Sequence, residues 1–186
     1  MKLFIGCSSS NDTPSMYIED CKKFLEELFM LDYDLVFGAC KEGIMGLSYD
    51  VALNNFRDII GIFPEVYKNG AENLQCLKIP VRTINDRTDK LISESDALVF
   101  LPGGFGTIYE LFTAIESKRG SEHDKPIIIY NSCGYFDKLL NFISLMYEER
   151  FASNKIKDYY YVCDNIDDVV LYINNYYKKN KVRRIN

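Results

Sequence analysis

The stretch ALVFLPGGFGTIYELFTAIESKRG, residues 97–120, limits what this chain can fold into more than any other. Ala97–Leu101 is a short unbroken apolar run, the pattern of a strand buried on both faces. Pro102 ends it, and Gly103, Gly104 and Gly106 follow at once. From Thr107 onward, Ile108, Leu111, Phe112 and Ile115 recur at the i, i+3, i+4, i+7 spacing of one helical face. The order is buried strand, glycine turn, helix. A helix N-terminus offers unpaired backbone N–H groups and the positive end of the macrodipole, and glycines let a ligand approach the backbone closely. That combination predicts a phosphate site. Thr107 adds a hydroxyl, and Glu110 brings a carboxylate near whatever the loop holds. The same residues also suit a plain strand-to-helix turn, with Thr107 as a cap and Glu110 complementing the dipole. The loop is not a dinucleotide fingerprint, because Tyr109 stands where that frame needs glycine, nor a Walker loop, because no Gly-Lys-Ser/Thr follows.

The rest of the chain repeats the alternation. Leu3–Cys7 reads as a first buried strand, followed by the polar loop Ser8, Ser9, Ser10, Asn11, Asp12. A helix then starts near Asp12 or Ser15, with Ile18, Cys21, Phe24, Leu25 and Leu28 at helical spacing. Leu35–Phe37 is a short strand leading into GACKEGIMG, residues 38–46, with a helix expected from about Leu47 to Phe56. Asp58–Phe63 is another strand, residues 65–78 a loop with a short helix, and Ile79–Thr83 a further strand. Past the centre, Lys125–Tyr130 and Tyr159–Cys163 read as strands, and Tyr135–Arg150 and Ile166–Tyr177 as helices. About seven strands alternating with helices predict one α/β, Rossmann-like, doubly wound parallel sheet with helices on both faces. One domain over residues 1–178 is expected, then a basic tail, 179–186, expected to fray. Ligands of such folds bind at the C-terminal strand ends, where the 8–10, 38–46 and 103–107 segments would meet.

Totals exclude several classes of function. A net charge of −5 argues against a sequence-independent nucleic-acid binder, which is normally basic. Six cysteines show no CxxC pair, and one histidine leaves no zinc-ligand set, so no metal is expected. The thiols read as free in a reducing, cytoplasmic compartment. MKLFIGC superficially suggests a lipoprotein box before Cys7, but its apolar run falls far short of the roughly 7–15 residues of a leader. No run approaches the ~20 apolar residues of a membrane span.

PGGFGTIYE at 102–110 resembles the PGGxGTxxE signature of the LOG ("lonely guy") family, nucleoside 5′-monophosphate phosphoribohydrolases often labelled lysine decarboxylase-like. The resemblance runs from the first strand to about Phe151. Ser8, Ser9 and Ser10 stand where the family has its Gly-Ser-Ser loop, as hydroxyl donors or merely as a turn. Gly38, Gly43, Met45 and Gly46 match GGGxxGLMG, but Ala39 and Cys40 replace glycines. Arg87, Leu91, Ser95, Asp96 and Ala97 match MxxRKxxMxxxSDA, with Thr88 in place of lysine. Arg150-Phe151-Ala152 resembles Gly-Phe-Ile with its glycine lost.

The resemblance implies hydrolysis of the N-glycosidic bond of AMP or an N6-substituted (cytokinin) nucleoside 5′-monophosphate, without a cofactor, by a homodimer. It assigns catalysis to Arg87 and Glu110, and substrate or phosphate binding to Ser8, Ser9, Gly43, Gly46, Gly103, Gly104, Gly106 and Thr107. Arg87 read by spacing alone is a helix-start arginine paired with Asp86 or Glu94. True lysine decarboxylation is set aside, since no pyridoxal-phosphate Schiff-base motif is seen. A rival reading of a different class is a non-catalytic nucleotide or cofactor carrier, similar to the molybdenum-cofactor carrier proteins; Thr88 and Ala39-Cys40 give it weight. A DNA-processing module of the same fold is disfavoured by charge.

Overall fold

Unbroken apolar runs produce a sheet buried on both faces. The computed structural model describes residues 1–183, and the side chains of residues 1–178. Its strands are β1 (Lys2–Gly6), β2 (Asp34–Phe37), β3 (Ile59–Pro64), β4 (Leu77–Val81), β5 (Ala97–Phe100), β6 (Ile127–Tyr130) and β7 (Tyr161–Cys163). They form one sheet in the order β4-β3-β2-β1-β5-β6-β7, and every neighbouring pair is parallel. The expected doubly wound fold is what forms. The order reverses between β1 and β5, whose register pairs Leu3 with Ala97 and Gly6 with Phe100.

Alternation along each strand feeds two cores. Leu3, Ile5, Ala97, Val99 and Ile128 point into one. There they meet α1 (Ser15–Met30), α2 (Gly43–Asn54) and α7 (Ile166–Arg183) through Leu25, Leu28, Ile44, Tyr49 and Val169. Phe4, Leu98, Phe100, Ile127 and Ile129 point into the other. That face is covered by α4 (Ile84–Glu94) and α5 (Phe105–Arg119), through Leu91, Leu111 and Ala114, and by Leu139 and Leu140 of α6 (Asp137–Glu148). A short α3 (Lys68–Ala71) follows a 3₁₀ turn at Glu65–Tyr67, in the segment expected to hold a short helix. Strand β4 is an edge, bordered only by β3, and carries Lys78 and Pro80.

Several boundaries differ from expectation for local reasons. Helix α2 starts at Gly43 rather than near Leu47. Its glycines serve close packing: a Cβ on Gly43 would lie 2.6 Å from the Ser10 carbonyl oxygen, and one on Gly46 would lie 2.1 Å from that of Lys41. Gly43 also holds a left-handed φ of 59°. Helix α5 begins at Phe105, ahead of the apolar period that marks it. Helix α1 does begin at Ser15, but Pro14 is the N-cap and no side chain caps it. Helix α7 continues past Tyr177 to Arg183, so the expected frayed tail is helical over 179–183, and its last residues, 184–186, lie outside the described ones.

Left-handed backbone explains where the family's glycines matter. Ala39 (φ 56°) and Arg150 (φ 64°) both occupy that region, at two positions where the resemblance has glycine. Phe56 (φ 57°) occupies it as well, one residue past Asn55, the C-cap of α2. The Phe56 N–H bonds to the Leu53 carbonyl and that of Arg57 to the Ala52 carbonyl, which is a Schellman closure. The Phe56 ring is 96% exposed and so offsets none of the strain. Phe56→Gly is therefore expected to stabilise the fold by about 1 kcal/mol. A thermal melt should show the midpoint rising by about 2–4 °C; a fall would show that the exposed ring contributes stability the fold does not reveal.

Candidate functional site

Three loops meet where the strand order reverses. The Ser8 N–H donates to the Pro102 carbonyl at 2.9 Å, joining the segment after β1 to the one after β5. The Met45 N–H donates to the Ser8 carbonyl at 2.9 Å, seating the start of α2 on the same segment. Ser8 is spent on this junction, since its hydroxyl contacts Thr13 Oγ1 at 3.2 Å and accepts from the Ser10 N–H.

Two adjoining cavities open there. One, of about 270 Å³, is lined by Cys7, Ser8–Ser10, Met45, Arg87, Gly104–Thr107 and Glu110. The other, of about 550 Å³, shares Ser9, Met45 and Arg87 with it and extends past Gly38, Cys40, Tyr67 and Ile84. Helix α5 points its N-terminus into the smaller cavity. Gly104 is its N-cap and no side chain caps it, so the first N–H groups have no partner within the helix. A Cβ on Gly104 or Gly106 would enter open space.

A buried ion pair forms one wall. Arg87 Nη2 donates to Glu110 Oε1 at 2.6 Å, linking α4 to α5. Arg87 pairs with neither Asp86 nor Glu94: Asp86 closes a capping box with Thr83, and Glu94 pairs with Lys90. Glu110 is 3% exposed. Burial raises its carboxyl above the usual range, and the Arg87 charge and hydrogen bond pull it back. Such a carboxyl can exchange a proton nearer neutrality than an exposed one. Arg87 also keeps a buried Nε–H with no partner. Burial, Cys21 and Glu110 push the Cys7 thiol well above its ordinary value, so it offers no thiolate nucleophile.

The residues singled out in the sequence separate into two groups. Ser8, Ser9, Arg87, Gly104, Gly106, Thr107 and Glu110 all line the smaller cavity. Gly43, Gly46 and Gly103 line neither cavity. The Gly43 N–H donates to Asn11 Oδ1, and a Cβ on Gly103 would lie 2.1 Å from Thr107 Oγ1. The Thr107 hydroxyl thus packs where Gly103 leaves room. Thr88 is fully buried and donates to the Ile84 carbonyl, so the position of the family's lysine is not on the cavity wall. Reading the sequence missed Tyr135, whose hydroxyl reaches the Gly103 carbonyl; its only signal was a tyrosine just ahead of a helix. Among the described residues no cluster of His, Cys, Asp or Glu is placed to hold a metal, and no helix is long and apolar enough to cross a membrane.

Known proteins are similar to this chain in sequence over most of its length. The family described as "Possible lysine decarboxylase" matches residues 45–173. A cytokinin riboside 5′-monophosphate phosphoribohydrolase of Arabidopsis thaliana is 32% identical over 155 residues, covering 82% of this chain and 72% of that protein. A probable enzyme of the same name from that plant is 34% identical over 150 residues, covering 79% and 74%. Two rice relatives (Oryza sativa subsp. japonica), probable enzymes of that name, are 32% identical, and the chain spans 62% of their length. Among solved structures, the Moco carrier protein of Chlamydomonas reinhardtii superposes with a TM-score of 0.67 at 16% identity, covering 96% of this chain and 98% of that one. DNA processing protein A of Streptococcus pneumoniae does so with a TM-score of 0.57 at 12% identity, covering 91% and 60%. At such identities the structural likeness speaks for the fold alone. By the extent of the sequence matches, the chain belongs to the LOG, lysine decarboxylase-like family.

Proposed function

We propose that the protein hydrolyses the N-glycosidic bond of AMP or an N6-substituted (cytokinin) nucleoside 5′-monophosphate, giving free base and ribose 5-phosphate. The observation that carries this reading is the uncapped N-terminus of α5 opening on the same cavity as the buried Arg87–Glu110 pair. The N–H groups of Phe105, Gly106 and Thr107 are the anion donors for the 5′-phosphate. Binding energy gained there holds the distant glycosidic bond against Glu110. The larger adjoining cavity accommodates the base.

Cleavage breaks the C1′–N bond, the base leaves with the electron pair and takes up a proton, and a water oxygen bonds to C1′. The transition state is oxocarbenium-like, so a carboxylate beside the ribose lowers its energy. Glu110 supplies that charge and takes the proton of the attacking water. Arg87 holds Glu110 in place and keeps its Nε–H for the ribose or the departing base. The homologues' names support the substrate class. Six free cysteines support a cytoplasmic setting. The assembly we propose is a homodimer, supported by exposed Phe105 at the cavity mouth and exposed Phe142 and Leu145 on α6.

Glu110→Gln tests the catalytic assignment. Turnover of AMP or isopentenyl-AMP should fall about 10²- to 10⁴-fold with little change in nucleotide affinity. Because burial raises this carboxyl, it gains its charge only as pH rises above the ordinary carboxylate range. Wild-type kcat should therefore climb with pH along an acid limb lying above that range, and the limb should vanish in Glu110→Gln. Wild-type turnover by the folded variant would end the assignment. A wild type that binds nucleotide without releasing ribose 5-phosphate would favour a carrier. Sedimentation should give twice the 21.6 kDa chain mass; a single-chain mass at every concentration would count against the dimer.

A further inference from the structure

Tyr135 lines neither cavity, yet it grips the glycine loop from behind. Its hydroxyl donates to the Gly103 carbonyl at 2.7 Å, across a separation of 32 residues. The Gly103–Gly104 peptide lies between two residues without side chains, so it is among the easiest in the chain to rotate. In a trans peptide C=O and N–H point in opposite directions. With the carbonyl held on Tyr135, the Gly104 N–H faces away from Tyr135, and Gly104 itself lines the cavity. A half-turn of this peptide would instead present a carbonyl oxygen, which repels an anion.

The turn that presents Tyr135 is built with unusual firmness. It leaves β6 through a 3₁₀ turn at Ser132–Gly134, where Cys133 (φ 49°) and Gly134 (φ 71°) are both left-handed. Strained backbone of this kind persists only where its surroundings over-determine it. Here the Asn131 side chain accepts from the Phe136 N–H and donates to Asp137. The Ser132 hydroxyl and the Tyr130 hydroxyl both donate to Asp20 Oδ2 on α1, at 2.6 and 3.0 Å. The Tyr135 ring packs edge-on against Tyr17 and Phe136, with centroids 5.3 and 5.0 Å away. The ring is held by packing, while the hydroxyl has its own separate task. Tyr135 is 38% exposed, so water could satisfy that hydroxyl and burial does not demand the bond.

We propose that Tyr135 is a positioning residue that fixes the Gly103–Gly104 peptide so that its N–H, and not its carbonyl, meets the substrate's 5′-phosphate. This rests on the phosphate reading of the cavity given above. Its signature is selective: losing the hydroxyl weakens recognition of a phosphorylated nucleoside and leaves that of the unphosphorylated one alone.

The test is Tyr135→Phe in the full chain, compared with wild type by calorimetric titration of AMP and of adenosine, by thermal melts, and by steady-state kinetics on AMP. The ring packing is retained, so the variant should melt like wild type. AMP affinity should weaken about tenfold, the worth of one hydrogen bond to a charged group. KM should rise by a similar factor, with kcat within about twofold. Adenosine affinity should not change. A variant that keeps the wild-type preference for AMP over adenosine overturns the positioning role and leaves the phosphate reading standing. A variant that loses AMP and adenosine affinity together also overturns it, since that marks general damage to the site. A wild type that binds AMP no better than adenosine removes the phosphate reading and this proposal with it.

Discussion

The contact between Arg87 and Glu110 is the constraint on which the site depends. Both groups sit near helix N-termini, Arg87 in the first turns of α4 and Glu110 in those of α5. Glu110 lies past the first turn of α5, where the macrodipole has faded, so the buried carboxylate depends on Arg87 for its counter-charge. Bringing the two helices together over one sheet face supplies it. Removing one partner of a buried pair typically costs about 3–5 kcal/mol, because the other is left uncompensated. The packing of α4 against α5 and the charge state of the cavity are therefore one property. An arginine with a neighbouring carboxylate on its own helix could have drifted into solvent; one bound to α5 cannot.

The sheet and the glycine turn were legible in the sequence because they rest on local pattern. Ala97–Phe100 and Ile127–Tyr130 are unbroken apolar runs, and both are fully buried central strands. Periodicity failed where tertiary contact decides. Gly43 and Gly46 read as loop glycines, yet they begin a helix whose close seat on Ser10 and Lys41 excludes any side chain. The partner of Arg87 lies 23 residues away, beyond any helical spacing, and only the family motif suggested that Arg87 belonged with Glu110. Tyr135 acts through a backbone oxygen on another loop, which no spacing rule encodes. Departures from the family pattern were legible as letters but not as geometry. Ala39 and Arg150 hold the left-handed backbone that glycine would favour, whereas Thr88 has withdrawn into the core.

Solved structures of similar fold belong to proteins named for tasks as different as cofactor carriage and DNA processing. The parallel sheet supplies convergent helix N-termini at one end whatever the sequence. In this chain the groups placed there are a carboxylate with almost no exposure, a guanidinium with an unpartnered buried N–H, and a glycine loop braced from outside the cavity.

The edge strand β4 bears on how copies of this chain can meet. An exposed sheet edge recruits other strands through its row of free N–H and C=O groups. Pro80 takes one donor from that row, and Lys78 would set a charge beside any incoming strand. At the opposite edge β7 is only three residues long, too short for a stable continuation. Growth of the sheet from molecule to molecule is thus discouraged at both margins. What these margins leave open is contact through the helical faces, which adds no strand to the sheet.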